Sequence, residues 1–382
     1  MTTVAEPRPK LVYVIPHLSE HESEHFAHIP ALLAELGKRV EVAAVVERGS
    51  PPPRLDGVRL LVRVRGAGRL ARVLGTLRAV RRCAAAGHHT YFLRYSRLFL
   101  AVLVLTRPFY RHRILLWRSG ISDVAPPEAG RTPARVLNDL LNWLLLRFVH
   151  RFVTGPESMV AYMSRRWRVP PRKMALLYND VDTGRFAPLP SDGRRKARAD
   201  LGWAEDEFVI LFVHRLSYRK GARLLGPLFR RLVARVDVPV RLVVVGDGPD
   251  RPDVEQAARA PELRGRMLVV GALPNRELPR MYAAADCLLM PSLEEGFPRV
   301  IVEAMAAALP VVATDAGGSA DVIGPDYPYI SRVGDTAALL RHLEAMIALP
   351  ASARAELGER LRARANERYT PARAAEMLRG LL

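Results

Sequence analysis

The chain has 382 residues, of which 49% are hydrophobic and 25% charged. Those proportions exclude a disordered tail, a collagen repeat and a coiled coil, and the length suggests two domains at about 150 residues each. The net charge is +19 and is unevenly placed: residues 1–186 hold 30 basic and 14 acidic side chains, so +16, and residues 187–382 hold 28 and 25, so +3.

The asymmetry points to an anionic partner for the first half. The scarcity of lysine, five against 53 arginines, equally fits a GC-rich genome. Cys83 and Cys287 are too few for a disulfide framework or a cysteine zinc site, and they read as small buried residues in a reducing compartment. The first apolar run, Leu11–Ile15, is too short for a signal-peptide core. The longest runs, 98–106 and 140–146, fall well below the roughly 20 residues needed to span a bilayer. The expectation is a cytosolic protein with a peripheral contact on the inner face of the membrane.

The first half opens with a strand at Leu11–Ile15, a polar loop, a helix over about 26–36 stopped by Gly37, and a β-branched strand at Val40–Val46. This β–α–β start predicts a doubly wound domain. Leu70, Val73, Leu74 and Leu77 follow helical spacing, with Arg69, Arg72, Arg78, Arg81 and Arg82 mostly opposite. Short strands at Thr90–Leu93 and Ile114–Trp117 follow, then a helix from about Pro133 to His150. A turn-rich stretch, Asn179–Asp182 and Phe186–Gly193, reads as a linker. It places the boundary between a domain over 1–185 and a second over 186–367.

The second half alternates again. Strands are expected at Val209–Val213, Val240–Val245, Met267–Val270, Cys287–Met290 and Val311–Thr314, and helices at 222–235, 252–260, 275–284 and 299–308. That interval means a parallel sheet with helices on both faces. Two such domains joined by a linker leave a cleft, and ligands bind beyond the carboxyl ends of the strands.

Three segments in the second half carry chemistry. Pro291-Ser292-Leu293-Glu294-Glu295-Gly296-Phe297-Pro298-Arg299-Val300-Ile301-Val302-Glu303 runs from a strand through a loop into a helix. Pro298 suits the first helical position, and the N–H groups of that turn form an anion site. Glu295 is positioned to accept hydrogen bonds from sugar hydroxyls, and Glu303 from both hydroxyls of a ribose diol. For a single glutamate the ordinary reading is a surface charge or a helical ion pair; the flanking residues favour the ligand reading. Arg215 and Lys220 lie in the loop after the strand at Val209–Val213. An arginine fork and a lysine point charge together hold a diphosphate without a metal, although loop cations are common in so basic a chain. Gly246-Asp247-Gly248-Pro249 after a strand lets a backbone approach a ligand, but it is not a dinucleotide fingerprint.

In their order, these segments resemble the family 4 glycosyltransferases, a retaining family of GT-B fold. The matching residues are His214-Arg215, Lys220-Gly221, Gly246-Asp247-Gly248-Pro249, Val270-Gly271 and Tyr282-Ala283-Ala284-Ala285-Asp286. Pro291-Ser292, Glu295-Gly296-Phe297, Glu303-Ala304-Met305, Pro310-Val311-Val312-Ala313 and Gly317-Gly318 complete the set. The resemblance covers about 178–325. It implies a GT-B architecture, two doubly wound Rossmann-like domains facing each other across a cleft, with a closing helix near 368–382 returning to the first domain. It implies a nucleotide-diphosphate-sugar donor and a glycan, lipid-linked or small-molecule acceptor. Arg215, Lys220 and Glu295 would be catalytic. Gly246, Gly248, Gly271, Leu273, Gly296, Phe297, Pro298, Arg299 and Glu303 would line the donor site. No metal, no other cofactor and no nucleic-acid partner are expected.

The first half departs from that pattern. Where many members carry Gly-Gly in the first β–α loop, this chain has Ser19-Glu20-His21-Glu22-Ser23-Glu24-His25. Where many place a histidine after a central strand, it has Trp117-Arg118-Ser119-Gly120. Arg118 or Ser119 stands in that place, or His25 reaches over. Asp180-Val181-Asp182 spells the metal signature of the other glycosyltransferase fold but reads here as a hinge turn. A nucleotide-sugar 2-epimerase of GT-B fold and a basic nucleic-acid-binding protein are the alternatives.

Overall fold

The computed structural model describes residues 8–19, 28–66, 68–94, 96–118 and 133–382. The chain forms two compact units. The first runs to Gly155, resumes over Val160–Leu177 and ends with Pro371–Leu382; the second comprises Pro156–Met159 and Tyr178–Thr370. The change at 177/178 precedes the linker that composition suggested.

In the first unit the elements are β1 (Lys10–Ile15), α1 (Ile29–Gly37), β2 (Glu41–Val46), β3 (Val58–Arg63), α2 (Arg69–Ala85), β4 (Thr90–Arg94), α3 (Arg97–Tyr110), β5 (Arg113–Trp117), α4 (Pro133–Arg147), β6 (Arg151–Thr154), α5 (Glu157–Trp167) and β7 (Met174–Leu176). Helix α5 opens in the second unit's short segment and continues into the first. Among the described residues all seven strands are parallel, in the order β3-β2-β1-β4-β5-β6-β7. Strand β1 is buried from Leu11 to Ile15, as a continuous apolar run in a doubly covered sheet should be.

Strand β3 was not expected. It is the edge strand, its sequence VRLLVR only partly buried and carrying arginine at both ends of its apolar stretch. The run at 98–106 lies inside α3. Ser96 caps that helix, its Oγ accepting from the Phe99 amide at 3.2 Å.

The second unit contains α6 (Ser191–Asp200), β8 (Phe208–Val213), α7 (Leu225–Val233), β9 (Val240–Val245), α8 (Arg251–Ala258), β10 (Met267–Gly271), α9 (Leu278–Ala284), β11 (Cys287–Met290), α10 (Arg299–Ala306), β12 (Val311–Thr314), α11 (Ser319–Ile323), β13 (Ile330–Ser331), α12 (Thr336–Ala348) and α13 (Ala351–Arg368). Its six strands are parallel, in the order β10-β9-β8-β11-β12-β13. The last helix, α14 (Pro371–Arg379), belongs to the first unit, where Ala374, Ala375 and Leu378 join the core that holds Leu32 and Leu33 of α1.

Helix α6 corrects the linker reading, because residues 191–193 open it. It has no apolar stripe and is held by a charge instead. The Arg198 side chain is 2% exposed and pairs with Asp286 at 3.0 Å. It also donates to the carbonyls of Ala204 at 2.7 Å and Ala284 at 3.1 Å. Asp286 takes a second arginine, Arg194, at 2.8 Å and accepts from the Val209 amide at 2.8 Å.

Each unit is a doubly wound, Rossmann-like parallel domain, and the pair is the GT-B architecture. In the second sheet the strand order reverses between β8 and β11. The loops leaving those two strands flank the switch point, where ligands of such sheets bind.

Candidate active site

Two of the expected segments leave β8 and β11 side by side. The backbone joins them: the Leu293 and Glu294 amides donate to the Arg219 carbonyl at 2.8 and 3.0 Å. Thr314 Oγ1, at the end of β12, donates to the Ser292 carbonyl at 2.5 Å.

Glu295 is the centre of this arrangement and is 5% exposed. Lys220 Nζ lies 2.7 Å from its Oε2. His214 Nε2 lies 3.0 Å from Oε1 and the Ser292 hydroxyl donates to the same oxygen at 2.8 Å. Burial works against ionisation of Glu295, but His214 and Lys220 outweigh it and bring its pKa down to about 2. His214 Nδ1 accepts from the Arg215 amide at 2.8 Å. That bond leaves Nε2 as the ring nitrogen that donates to Glu295.

Lys220 also donates to the Glu294 carbonyl at 3.0 Å. An ammonium has three N–H donors, so one remains. Arg215 is exposed and makes no ion pair among the described residues. Arg219 of the same loop pairs with Glu294 at 3.2 Å, so Arg215 is the loop cation that no carboxylate neutralises among the described residues.

Glu303 lies on α10, 5% exposed. The Tyr282 hydroxyl donates to its Oε2 at 2.9 Å, and Arg299, one turn earlier, stands 3.6 Å from Oε1. Burial dominates and pushes the Glu303 pKa up, against the pull of Arg299 and Tyr282. Pro298 sits at the N-cap, one place before the first helical position expected of it. The Arg299 amide donates to Phe297 at 2.9 Å and the Ile301 amide to Pro298 at 3.0 Å. Two of the first three N–H groups of α10 are thus already used, which narrows the anion site read from the sequence.

The glycine turn after β9 serves protein backbone first. A Cβ on Gly246 would stand 1.9 Å from the His214 carbonyl oxygen, and one on Gly248 2.2 Å from that of Leu216. The turn therefore props the loop that carries Arg215. Gly317 supports the opposite loop in the same way, since its Cβ would meet the Glu295 carbonyl oxygen at 2.2 Å, at a φ of 58°.

Gly271 closes β10, its carbonyl accepting from Gly246 at 2.8 Å, with half-buried Leu273 two residues on. Gly296 is half-buried in the loop after Glu295, and Phe297 beside it packs edge-on against Tyr369 at 5.9 Å. The structure thus gathers Lys220, Glu295, His214 and Ser292 through direct contacts, and Glu303 with Tyr282 and Arg299.

On the first unit, Arg118 directly follows β5, half-buried, its amide donating to Val153 at 2.9 Å. His25 and Ser119 lie outside the described residues. A buried residue that the sequence did not flag is Arg94, at the carboxyl end of β4. Its guanidinium lies over the Trp117 ring at 4.6 Å and reaches His28 Nε2 at 3.3 Å. The Asp182 carboxylate caps its own turn, accepting from the Gly184 and Arg185 amides at 3.1 and 3.0 Å. Among the described residues, no three metal-ligating side chains converge.

The profile of the family described as "Glycosyl transferases group 1" matches residues 193–368. A 2-deoxystreptamine glucosyltransferase from Streptomyces kanamyceticus is 30% identical over 351 residues, 85% of this chain and 89% of that protein. Among solved structures, sucrose-phosphate synthase from Thermosynechococcus elongatus superposes with a TM-score of 0.75 at 21% identity, covering 98% of both chains. Anabaena HepE, solved in complex with UDP and glucose, gives 0.73 at 19%, covering 98% of this chain and 99% of its own. With a relative of that identity aligned over most of both chains, and with the profile on the unit that holds Lys220, Glu295 and Glu303, this chain belongs to the group 1 glycosyltransferases.

Proposed function

We propose that the protein transfers a sugar, with retention, from a nucleotide-diphosphate donor to a hydroxyl of a glycan, lipid-linked or small-molecule acceptor, without a metal. The observation that carries this reading is the Lys220–Glu295–His214 constellation at the switch point of the second sheet. Two of the three Lys220 donors are engaged within the protein, and the third is left for a phosphate oxygen. A carboxylate offers about four acceptor positions. Glu295 uses three of them on Lys220, His214 and Ser292, which leaves one for a hydroxyl of the transferred sugar.

Charge grows on the diphosphate as it leaves, and fixed positive groups stabilise it electrostatically. Lys220 and Glu295 together carry no net charge, so Arg215 supplies the uncompensated positive charge. Glu303, held by Tyr282, is the acceptor for the ribose diol. Gly271 and Leu273, at the neighbouring strand end, face the base. The acceptor belongs on the first unit, beyond the end of β5 where Arg118 lies. The complexes of HepE with UDP support a uridine donor as the first probe. The group 1 relatives support neither a 2-epimerase nor a nucleic-acid binder.

A thermal-shift screen of nucleotide sugars tests the donor. A ligand at 100 times its dissociation constant that binds only the folded form adds roughly 2.7 kcal/mol of stability. With the donor in hand, turnover in EDTA and proton NMR of the product anomer follow. Transfer that persists in EDTA and yields the donor's own anomeric configuration is expected. Loss of turnover restored by magnesium would return Asp180 and Asp182 to the role of metal ligands, and an inverted anomer would contradict retention.

A further inference from the structure

Helices α2, α3 and α4 present a surface outside the Lys220, Glu295 and Glu303 constellation. Their 46 residues contain nine arginines and one carboxylate, Asp139. Right-handed crossovers along β3, β4, β5 and β6 put the three helices on one face of the first sheet, and α2 packs on α3 and α3 on α4.

Helix α2 behaves ordinarily on its inner side, burying Thr76, Ala79, Val80 and Cys83. Its outer side shows Leu70 and Leu74 beside Arg69, Arg78, Arg81 and Arg82. Helix α3 buries Phe99, Leu100, Val102 and Leu103 but leaves Leu105 72% and Phe109 80% exposed. Helix α4 buries nothing among its described side chains, although it is the most leucine-rich of the three. Leu137, Leu140, Leu141 and Leu144 recur at helical spacing, and Phe148 continues them just past the helix end; each is between 38% and 57% exposed. Trp143 is 54% exposed. A helix with that composition is ordinarily covered, and contiguous exposed apolar surface of this kind marks an interaction site.

The charge pattern identifies what covers it. Nine arginines against one carboxylate call for an anionic partner and set a second copy of the same face against like charge, and the arginines are threaded through the apolar side chains. Arg147 stands over the Trp143 ring at 5.1 Å and Arg107 over Phe148 at 5.5 Å. Leucine and tryptophan suit the boundary between acyl chains and headgroups, and arginine forks suit lipid phosphates. No described helix is long and apolar enough to cross a membrane, and a surface contact needs none.

We propose that the α2–α3–α4 face docks on an anionic bilayer, with Trp143 and the α4 leucines at the acyl boundary and the arginines on lipid phosphates. Vesicle binding does not depend on the donor or on turnover, so this inference and the transfer reading fail separately. The test is co-sedimentation of the full chain with vesicles of phosphatidylcholine alone, or mixed with phosphatidylglycerol. The same vesicles with brominated acyl chains quench tryptophan fluorescence.

Pelleting is expected to rise at least tenfold with phosphatidylglycerol and to fall as salt screens the arginines. The L140E/L144E variant should stay in the supernatant with an unchanged circular dichroism spectrum. In a W167F background, the W143F variant should pellet yet lose much of the quenching, since the two remaining tryptophans, Trp117 and Trp203, are buried. The exposed-charge variant R78Q/R81Q/R82Q is least at risk of misfolding and should bind several-fold less. Equal pelleting with both lipids, none with either, or quenching unchanged by W143F in the W167F background overturns the proposal. A dimer in solution that L140E/L144E dissociates also overturns it, because the face would then belong to a second copy.

Discussion

Glu295 is a buried carboxylate kept ionised by two neighbours of different kinds. Its pKa is depressed from 4.5 to about 2, so its contribution to stability is full above pH 4.5 and is lost as the pH falls towards 2. Removing one partner of a buried pair leaves an uncompensated charge and costs about 3–5 kcal/mol. Lys220→Met should therefore lower both stability and activity. The double variant Lys220→Met/Glu295→Gln should recover most of the stability and none of the activity, as chemical denaturation and a transfer assay will show. Equal stability of the single and double variants would mean that the pair is not coupled. The positions of Lys220, Glu295 and Glu303 were legible because motif order carries them. The role of His214 was not: one histidine after a strand has no periodic signal, and only the folded loop brings its Nε2 within 3.0 Å of Glu295.

At the scale of elements, the apolar strands were readable because both faces of each central strand are covered, so burial writes itself as an unbroken hydrophobic run. Where burial is partial or charge replaces it, the pattern disappears. Strand β3 has one solvated edge. Helix α6 is anchored by Arg198 rather than by a stripe, which is why a helix start at Ser191 looked like a linker. Asp286 is the anchor on the other side, shared by Arg194, Arg198 and the Val209 amide. Asp286→Ala should destabilise the protein by roughly 3 kcal/mol or more, since it strands the Arg198 charge. Arg194→Ala, on the more exposed side of the pair, should cost under about 1 kcal/mol. Urea unfolding of both variants checks the ratio, and similar losses would contradict a hub centred on the buried arginine.

At the scale of the molecule, the division of labour between the two units follows their chemistry. The second unit gathers paired carboxylates and cations at its switch point and has little net charge. The first carries the excess positive charge and three histidines, His88, His112 and His150, whose pKa burial lowers. His112 is the clearest case: burial lowers its pKa from 6.5 to about 4, and it sits against Thr106 Oγ1 at 3.0 Å. Because the folded form resists protonation, its contribution to stability is full above pH 6.5 and is lost as the pH falls towards 4. The stability difference between the wild-type protein and His112→Gln should shrink between pH 7 and pH 5 in thermal melts. A constant difference would mean that His112 does not titrate on unfolding.

A nucleoside diphosphate held by side chains alone is the central expectation for the second unit. Isothermal titration of UDP, GDP, ADP and dTDP in EDTA, into wild-type protein, Arg215→Ala and Glu303→Ala, examines that directly and needs no acceptor. One of the four should bind the wild-type protein without added metal, and each variant should weaken it at least tenfold, about 1.4 kcal/mol, with unchanged circular dichroism. Binding that appears only when magnesium is supplied, or that both variants retain at wild-type strength, would contradict the account.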